Sequence, residues 1–72
     1  MRRPPKIPAG TQVRLSRLDG TGGGQVKFIG VLNGALLYCA LTKDQVNAVR
    51  LDELRYIEIC AQDGKHLSTW AP

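Results

Sequence analysis

Residues 19–25 read DGTGGGQ, with glycine at four of the five positions from Gly20 to Gly24. Glycine-rich loops do chemistry when their backbone N–H groups converge on an anion at the start of a helix. The Walker form needs Lys and then Ser or Thr after its last glycine, but Gly24 is followed by Gln25-Val26. The dinucleotide form needs G-x-G-x-x-G between a strand and a helix. Here G-x-G-G-G leads into Val26-Lys27-Phe28, which begins a strand. With no helix dipole aimed at it, the run is expected to be a mobile turn between antiparallel strands, glycine supplying the unusual φ.

Other reactive side chains are sparse. Ser16, Ser68 and His66 have no spacing that assembles a nucleophile, a base and a group to orient the base. Asp52 and Glu53 are adjacent, so in a strand they point to opposite faces and cannot act as a carboxylate pair. One histidine and two cysteines without a Cys-x-x-Cys spacing fall short of a zinc site. Cys39 and Cys60 are expected to be small buried side chains that could lie near one another across the core. The chain is read as a non-enzyme without metal or cofactor.

The basic residues are the more informative chemistry. Residues 1–27 contain Arg2, Arg3, Lys6, Arg14, Arg17 and Lys27 against Asp19 alone, a charge of +5. Residues 28–72 have four basic and five acidic side chains, a charge of −1. A basic end on a near-neutral body suits an anionic partner touching that end; the alternative is a solvated tail that aids solubility.

These groups must be positioned by a chain of 72 residues, which allows one domain. A domain of this size buries only about 60% of its unfolded surface and is marginal without help. Residues 1–10, MRRPPKIPAG, hold three prolines and are expected to form an extended basic arm. Residues 11–72 are expected to form a small β-barrel domain. Val13 and Leu15 alternate with Gln12, Arg14 and Ser16, the period-2 mark of a half-buried strand. Asn33-Gly34 predicts a two-residue type I′ hairpin that opposes Leu32 with Ala35, Phe28 with Cys39 and Val26 with Leu41. The other face of that hairpin carries Ile29, Val31, Leu36 and Tyr38, so both faces read as apolar. Asp63-Gly64 predicts a second hairpin, opposing Cys60 with Leu67 and Ile57 with Trp70, and Trp70 is expected to anchor the last strand. Between them, residues 42–55 fit strand–turn–strand, while the capping-box spacing of Thr42 and Gln45 also admits a short helix. No apolar run reaches the ~20 residues of a membrane span, and the N-terminus lacks a signal-peptide core. A cytoplasmic protein with no membrane partner is expected.

VRLSRLDG, FIGVL and VRLDELRYIEI together resemble the five-stranded small barrels of the SH3-like and Sm-like kind. Leu18-Asp19-Gly20 and Gly30-Val31-Leu32 match the strand ending in Asp-Gly and the following Gly-x-Leu of Sm-like proteins. The likeness covers roughly residues 11–60 and implies a barrel of five to six antiparallel strands that self-associates or binds nucleic acid. The Asn33-Gly34 turn stands where Sm proteins carry Asp-x-x-x-Asn, so no uracil-binding residue is carried over. The GTQVRL opening is similar to the N-terminal barrel of bacterial cyclic-di-GMP flagellar brake proteins, without the Arg-rich motif of their partner domain.

Two functions follow as expectations. In the first, Arg2, Arg3, Lys6, Arg14 and Lys27 contact the phosphates of duplex DNA or structured RNA. That reading pairs Ser16 with Lys27 and Arg14 with Ile29, which places Arg14 and Lys27 on the outward face. In the second, Ile29, Val31, Leu36 and Tyr38 form the interface of a homo-oligomer.

Overall fold

The computed structural model describes residues 6–71. Its elements are β1 (Gln12–Arg17), β2 (Gly22–Leu32), β3 (Ala35–Ala40), β4 (Val46–Arg50), a 3-10 turn (Leu51–Glu53), β5 (Leu54–Cys60) and β6 (His66–Trp70). Residues 42–55 are therefore strand–turn–strand. All pairings are antiparallel. They form one sheet in the order β4-β3-β2-β1-β5-β6, with β4 and β6 as its two edges, so the sheet is not closed. No helix among the described residues is long and apolar enough to cross a membrane.

Local chemistry explains the turns. Asn33 and Gly34 take φ of 52° and 77°, as the type I′ hairpin requires, and the Gly34 carbonyl accepts a bond from Leu51 N–H at 2.9 Å. The two Asp-Gly turns are of another kind. Gly20 N–H donates to Arg17 O at 3.0 Å, and Arg17 N–H donates to Thr21 O at 3.0 Å. Gly64 N–H likewise donates to Ala61 O, and Ala61 N–H to Lys65 O. Gly20 and Gly64 sit at φ of 87° and 91°. Each is a three-residue loop with glycine in the left-handed position, braced by an aspartate that accepts a backbone N–H two residues on. The extra loop residue changes the pairing near the second turn: Cys60 faces His66 instead of Leu67, while Ile57 faces Trp70 as expected.

The glycine run resolves into two parts. Gly20 completes a turn, and Gly22–Gly24 open β2. Gly22, at φ 117°, lies where a Cβ would overlap the carbonyl oxygen of Leu15, so the backbones of β1 and β2 approach there as only glycine permits.

The core lies on one face. Val13 and Leu15 of β1, Phe28 of β2, Leu36 of β3, Val49 of β4, and Leu54 and Ile57 of β5 are buried together. Ile7, Val26, Val31, Tyr38, Leu51, Ile59 and Trp70 pack partly buried against them, so Trp70 does anchor the last strand. Ile7 ties down the described part of the arm. Beyond it, Gly10 N–H donates to Phe28 O at 2.7 Å and Phe28 N–H donates to Thr11 O at 2.8 Å, which extends the β1–β2 ladder by one residue.

The β2–β3 hairpin departs from the expected register midway. Leu32 faces Ala35, Val31 faces Leu36 and Gly30 faces Leu37; beyond a bulge at Ile29, Phe28 faces Tyr38 and Lys27 faces Cys39. The extra residue exchanges which side chains of β2 point inward. Val26 and Phe28 face the core before the bulge and Val31 faces it after. Leu32 and Leu41, which the expected pairing sets on one face with Val26 and Phe28, are 61% and 45% exposed. The bulge explains why the hairpin reads as apolar on both faces: the inward set changes phase along it.

Candidate nucleic-acid interface

Side chains alternate across β1, so the residues between Val13 and Leu15 point away from the core. Arg14 faces Gln25 and Gln12 faces Lys27 across the β1–β2 pair. This register differs from the expected Ser16–Lys27 and Arg14–Ile29 pairing because the turn closes tightly after Arg17 and Gly22–Gly24 continue β2 instead of forming a loop. Parity is retained, so Arg14 and Lys27 still share the outer face, as diagonal neighbours with two glutamines between them. Glu58 of β5 faces Arg14 from the other side.

Arg14 is held in place from two directions. Its Nη2 donates to Gly64 O at 2.9 Å, and its Nη1 lies 3.8 Å from Glu58 Oε2. The first is a hydrogen bond; the second is an ion pair too long to be one. A guanidinium carries five N–H donors, so most of those on Arg14 are left for another acceptor. Its side chain is 32% exposed, enough to present that edge to solvent. Lys27 is half-buried and Lys6 is exposed one residue before the anchoring Ile7. Arg2 and Arg3 lie outside the described residues.

Gln12 and Gln25 were not singled out by their sequence context. Gln12 Oε1, an acceptor, and Gln25 Nε2, a donor, are buried without a protein hydrogen-bond partner. Such groups cost on the order of 1–3 kcal/mol each when left unpaired. The signal that could have found them is their period: each sits two residues from a basic side chain on the same outward face. Beside Gln12, a shallow cleft of about 240 Å³ is lined by Gly10, Thr11, Gln12, Cys60 and Gln62.

Cys39 and Cys60 are buried and free, and neither belongs to the core cluster. Register puts Cys39, Lys27, Gln12 and Cys60 in one row across β3, β2, β1 and β5, so two strands separate the cysteines.

A second cleft of about 320 Å³, lined by Arg17, Leu18, Asp19, Asp52 and Glu53, lies at the other end of β1. Its charges are mostly engaged. Arg17 Nη2 donates to Tyr38 Oη at 2.9 Å, and Arg50 binds Asp52 with two contacts of 3.0 and 3.1 Å. Asp19 accepts from both the hydroxyl and the N–H of Thr21, and these bonds hold its carboxyl below the usual aspartate range. His66 is exposed on β6 and pairs with Thr69 Oγ1 at 2.8 Å. No group of three or more His, Cys, Asp or Glu among the described residues could hold a metal ion.

The expected oligomer interface is not one surface. Leu36 is fully buried in the core, and Val31 and Tyr38 pack partly buried against it, because the bulge turned that side of the hairpin inward. Ile29 is the half-buried bulge residue itself. Compared with protein-family models, curated proteins and solved structures, the chain matches none of them.

Proposed function

We propose that this protein is a small non-enzymatic nucleic-acid-binding module of the SH3-like or Sm-like barrel kind, contacting phosphates through the outer face of β1 and β2. The observation that carries the reading is the placement of Arg14 and Lys27 as diagonal neighbours on one outward face. The barrel kind is supported by β1 lying between β2 and β5, and by the 3-10 turn that joins β4 to β5. Two free, buried cysteines fit a reducing compartment such as the cytoplasm.

Arg14 is preorganised by Gly64 and Glu58, so less side-chain entropy is lost when it meets a phosphate. Arg2, Arg3 and Lys6 extend the basic end of the chain and add contacts along a backbone. Of the aromatic rings, Phe28 is buried, Tyr38 and Trp70 pack against the core, and Tyr56 alone, half-buried opposite Ser16, lies on that outer face. Backbone contact with duplex DNA or structured RNA is therefore favoured over single-strand capture.

The test is a titration of the protein against labelled duplex DNA, single-stranded DNA and structured RNA at two salt concentrations. Salt-sensitive binding to a duplex or structured class is expected. Replacing Arg14 and Lys27 together by Ala removes two phosphate contacts and flattens the log–log salt slope by about 2. Absence of binding at low salt to every class would overturn the reading.

A further inference from the structure

Three turns of the chain hold an Asn-Gly or Asp-Gly pair, and the surroundings of the glycine nitrogen differ between them. In Asp19-Gly20, Gly20 N–H donates to Arg17 O at 3.0 Å, and the Asp19 carboxylate accepts from Thr21. In Asp63-Gly64, Gly64 N–H donates to Ala61 O at 2.9 Å, and Asp63 accepts from Lys65 N–H. Asn33-Gly34 has neither restraint. Among the described residues, Gly34 N–H and the Asn33 carboxamide have no hydrogen-bond partner. Both residues are exposed, and nothing stands within 4 Å of where a Gly34 Cβ would be, so no side chain shields the nitrogen.

We propose that Asn33-Gly34 is a self-modification site, at which the chain converts one of its own amides to a carboxylate. Gly34 N gives up its proton to hydroxide or a buffer base and attacks Asn33 Cγ. The new C–N bond closes a five-membered succinimide, and the carboxamide nitrogen takes a proton from solvent and leaves as ammonia. Water then opens the ring at one of two bonds. Cleavage at Cγ gives aspartate; cleavage at the main-chain carbonyl gives isoaspartate, in which the backbone runs through the side-chain methylene. Asn47 lacks the same opening, because Ala48 sets a methyl group beside the nitrogen and Asn47 pairs with Tyr38 in the β3–β4 ladder.

The isoaspartyl product does not fit the turn. Asn33 holds φ at 52°, and Gly34 O accepts from Leu51 N–H at 2.9 Å, so this two-residue turn ties β2–β3 to the 3-10 turn. One more main-chain atom misaligns that bond and the adjacent Leu32–Ala35 pair. Either product also lowers the formal charge of +4 by one. The modification therefore marks the age of a molecule, and its isoaspartyl form loosens the β2–β3 hairpin.

Peptide mapping by mass spectrometry tests this on the folded protein, held at body temperature in mildly alkaline buffer. The peptide containing residue 33 is expected to gain roughly one dalton in ordinary water and roughly three in oxygen-18 water. Aspartyl and isoaspartyl forms should both appear there, faster as pH rises, while Asn47 stays intact over the same period. Asn33→Gly keeps a turn that accepts positive φ and abolishes the gain. Trp70 fluorescence reports folding throughout. Should Asn33→Gly fail to fold, the time course of the unsubstituted protein decides. In protein enriched for the isoaspartyl form, the amides of β2 and β3 are expected to lose protection from hydrogen exchange. Conversion confined to urea-unfolded protein, equal conversion at Asn47, or unchanged protection of β2 and β3 would overturn the inference. The nucleic-acid reading stands or falls separately, on its own titration.

Discussion

The two faces of β1 differ in everything but their backbone. Inward, Val13 and Leu15 are at most 4% exposed and belong to the apolar core. Outward, Gln12, Arg14 and Ser16 are half-buried beside Gln25, Lys27 and Glu58, with Cys60 and Tyr56 at the two ends of the row. Period-2 alternation separates the two jobs of a small sheet protein. One face supplies the free energy that holds the chain together, and the other presents groups that can be exchanged without unfolding it.

That contrast can be broken hardest from inside. Leu36 and Ile57 are fully buried, and replacing either by Ala is expected to cost about 2–5 kcal/mol, read as a lower urea midpoint. A loss near zero at Leu36 would mean that the bulge at Ile29 does not turn it inward. A smaller but still large effect is expected at Gly22. Gly22→Ala combines a strained φ with overlap on Leu15 O, and should cost about 2 kcal/mol or more. Gly24→Ala meets nothing within 4 Å and should change stability by about 1 kcal/mol at most.

The outer face should behave in the opposite manner. Lys27→Ala is expected to shift stability by no more than about 0.5 kcal/mol while lowering the salt slope of nucleic-acid binding by about 1. A stability loss comparable with that of Leu36→Ala would abolish the distinction between the faces. The smallest effect sharpens the comparison at the edge of the fold. Hydrogen bonds from Thr21 stabilise the ionised Asp19, so its folded pKa lies below the unfolded one. Its contribution is present above the ordinary aspartate pKa and is lost as pH falls through the depressed folded value. Thr21→Ala should move the Asp19 titration upward, measured by NMR of its carboxyl carbon.

The outer surface also divides into halves. Around β1 and β5 it is polar, whereas on β2–β3–β4 Leu32, Ala35, Leu37, Val46 and Ala48 make it mainly apolar, with Lys27 and Arg50 as its charged members. This division was illegible in the sequence because it depends on the bulge. Gly30, isolated inside a strand pattern, was the available hint, since such glycines mark bulges. The inward residues of β1 could be read directly, because nothing interrupts their alternation. Arg14 and Lys27 were legible as an outward pair, although their partners were not. Their shared face survives any shift of register by an even number of residues.

Sequence alone determined the strands, the Asn33-Gly34 hairpin and the basic end of the chain. Alternation, turn chemistry and charge are properties of residues within a few positions of one another. Tertiary structure decided the bulge at Ile29, the burial of Leu36 and the bracing of Arg14 by Gly64. Each of these depends on which strands become neighbours, and that is settled by the packing of the whole core.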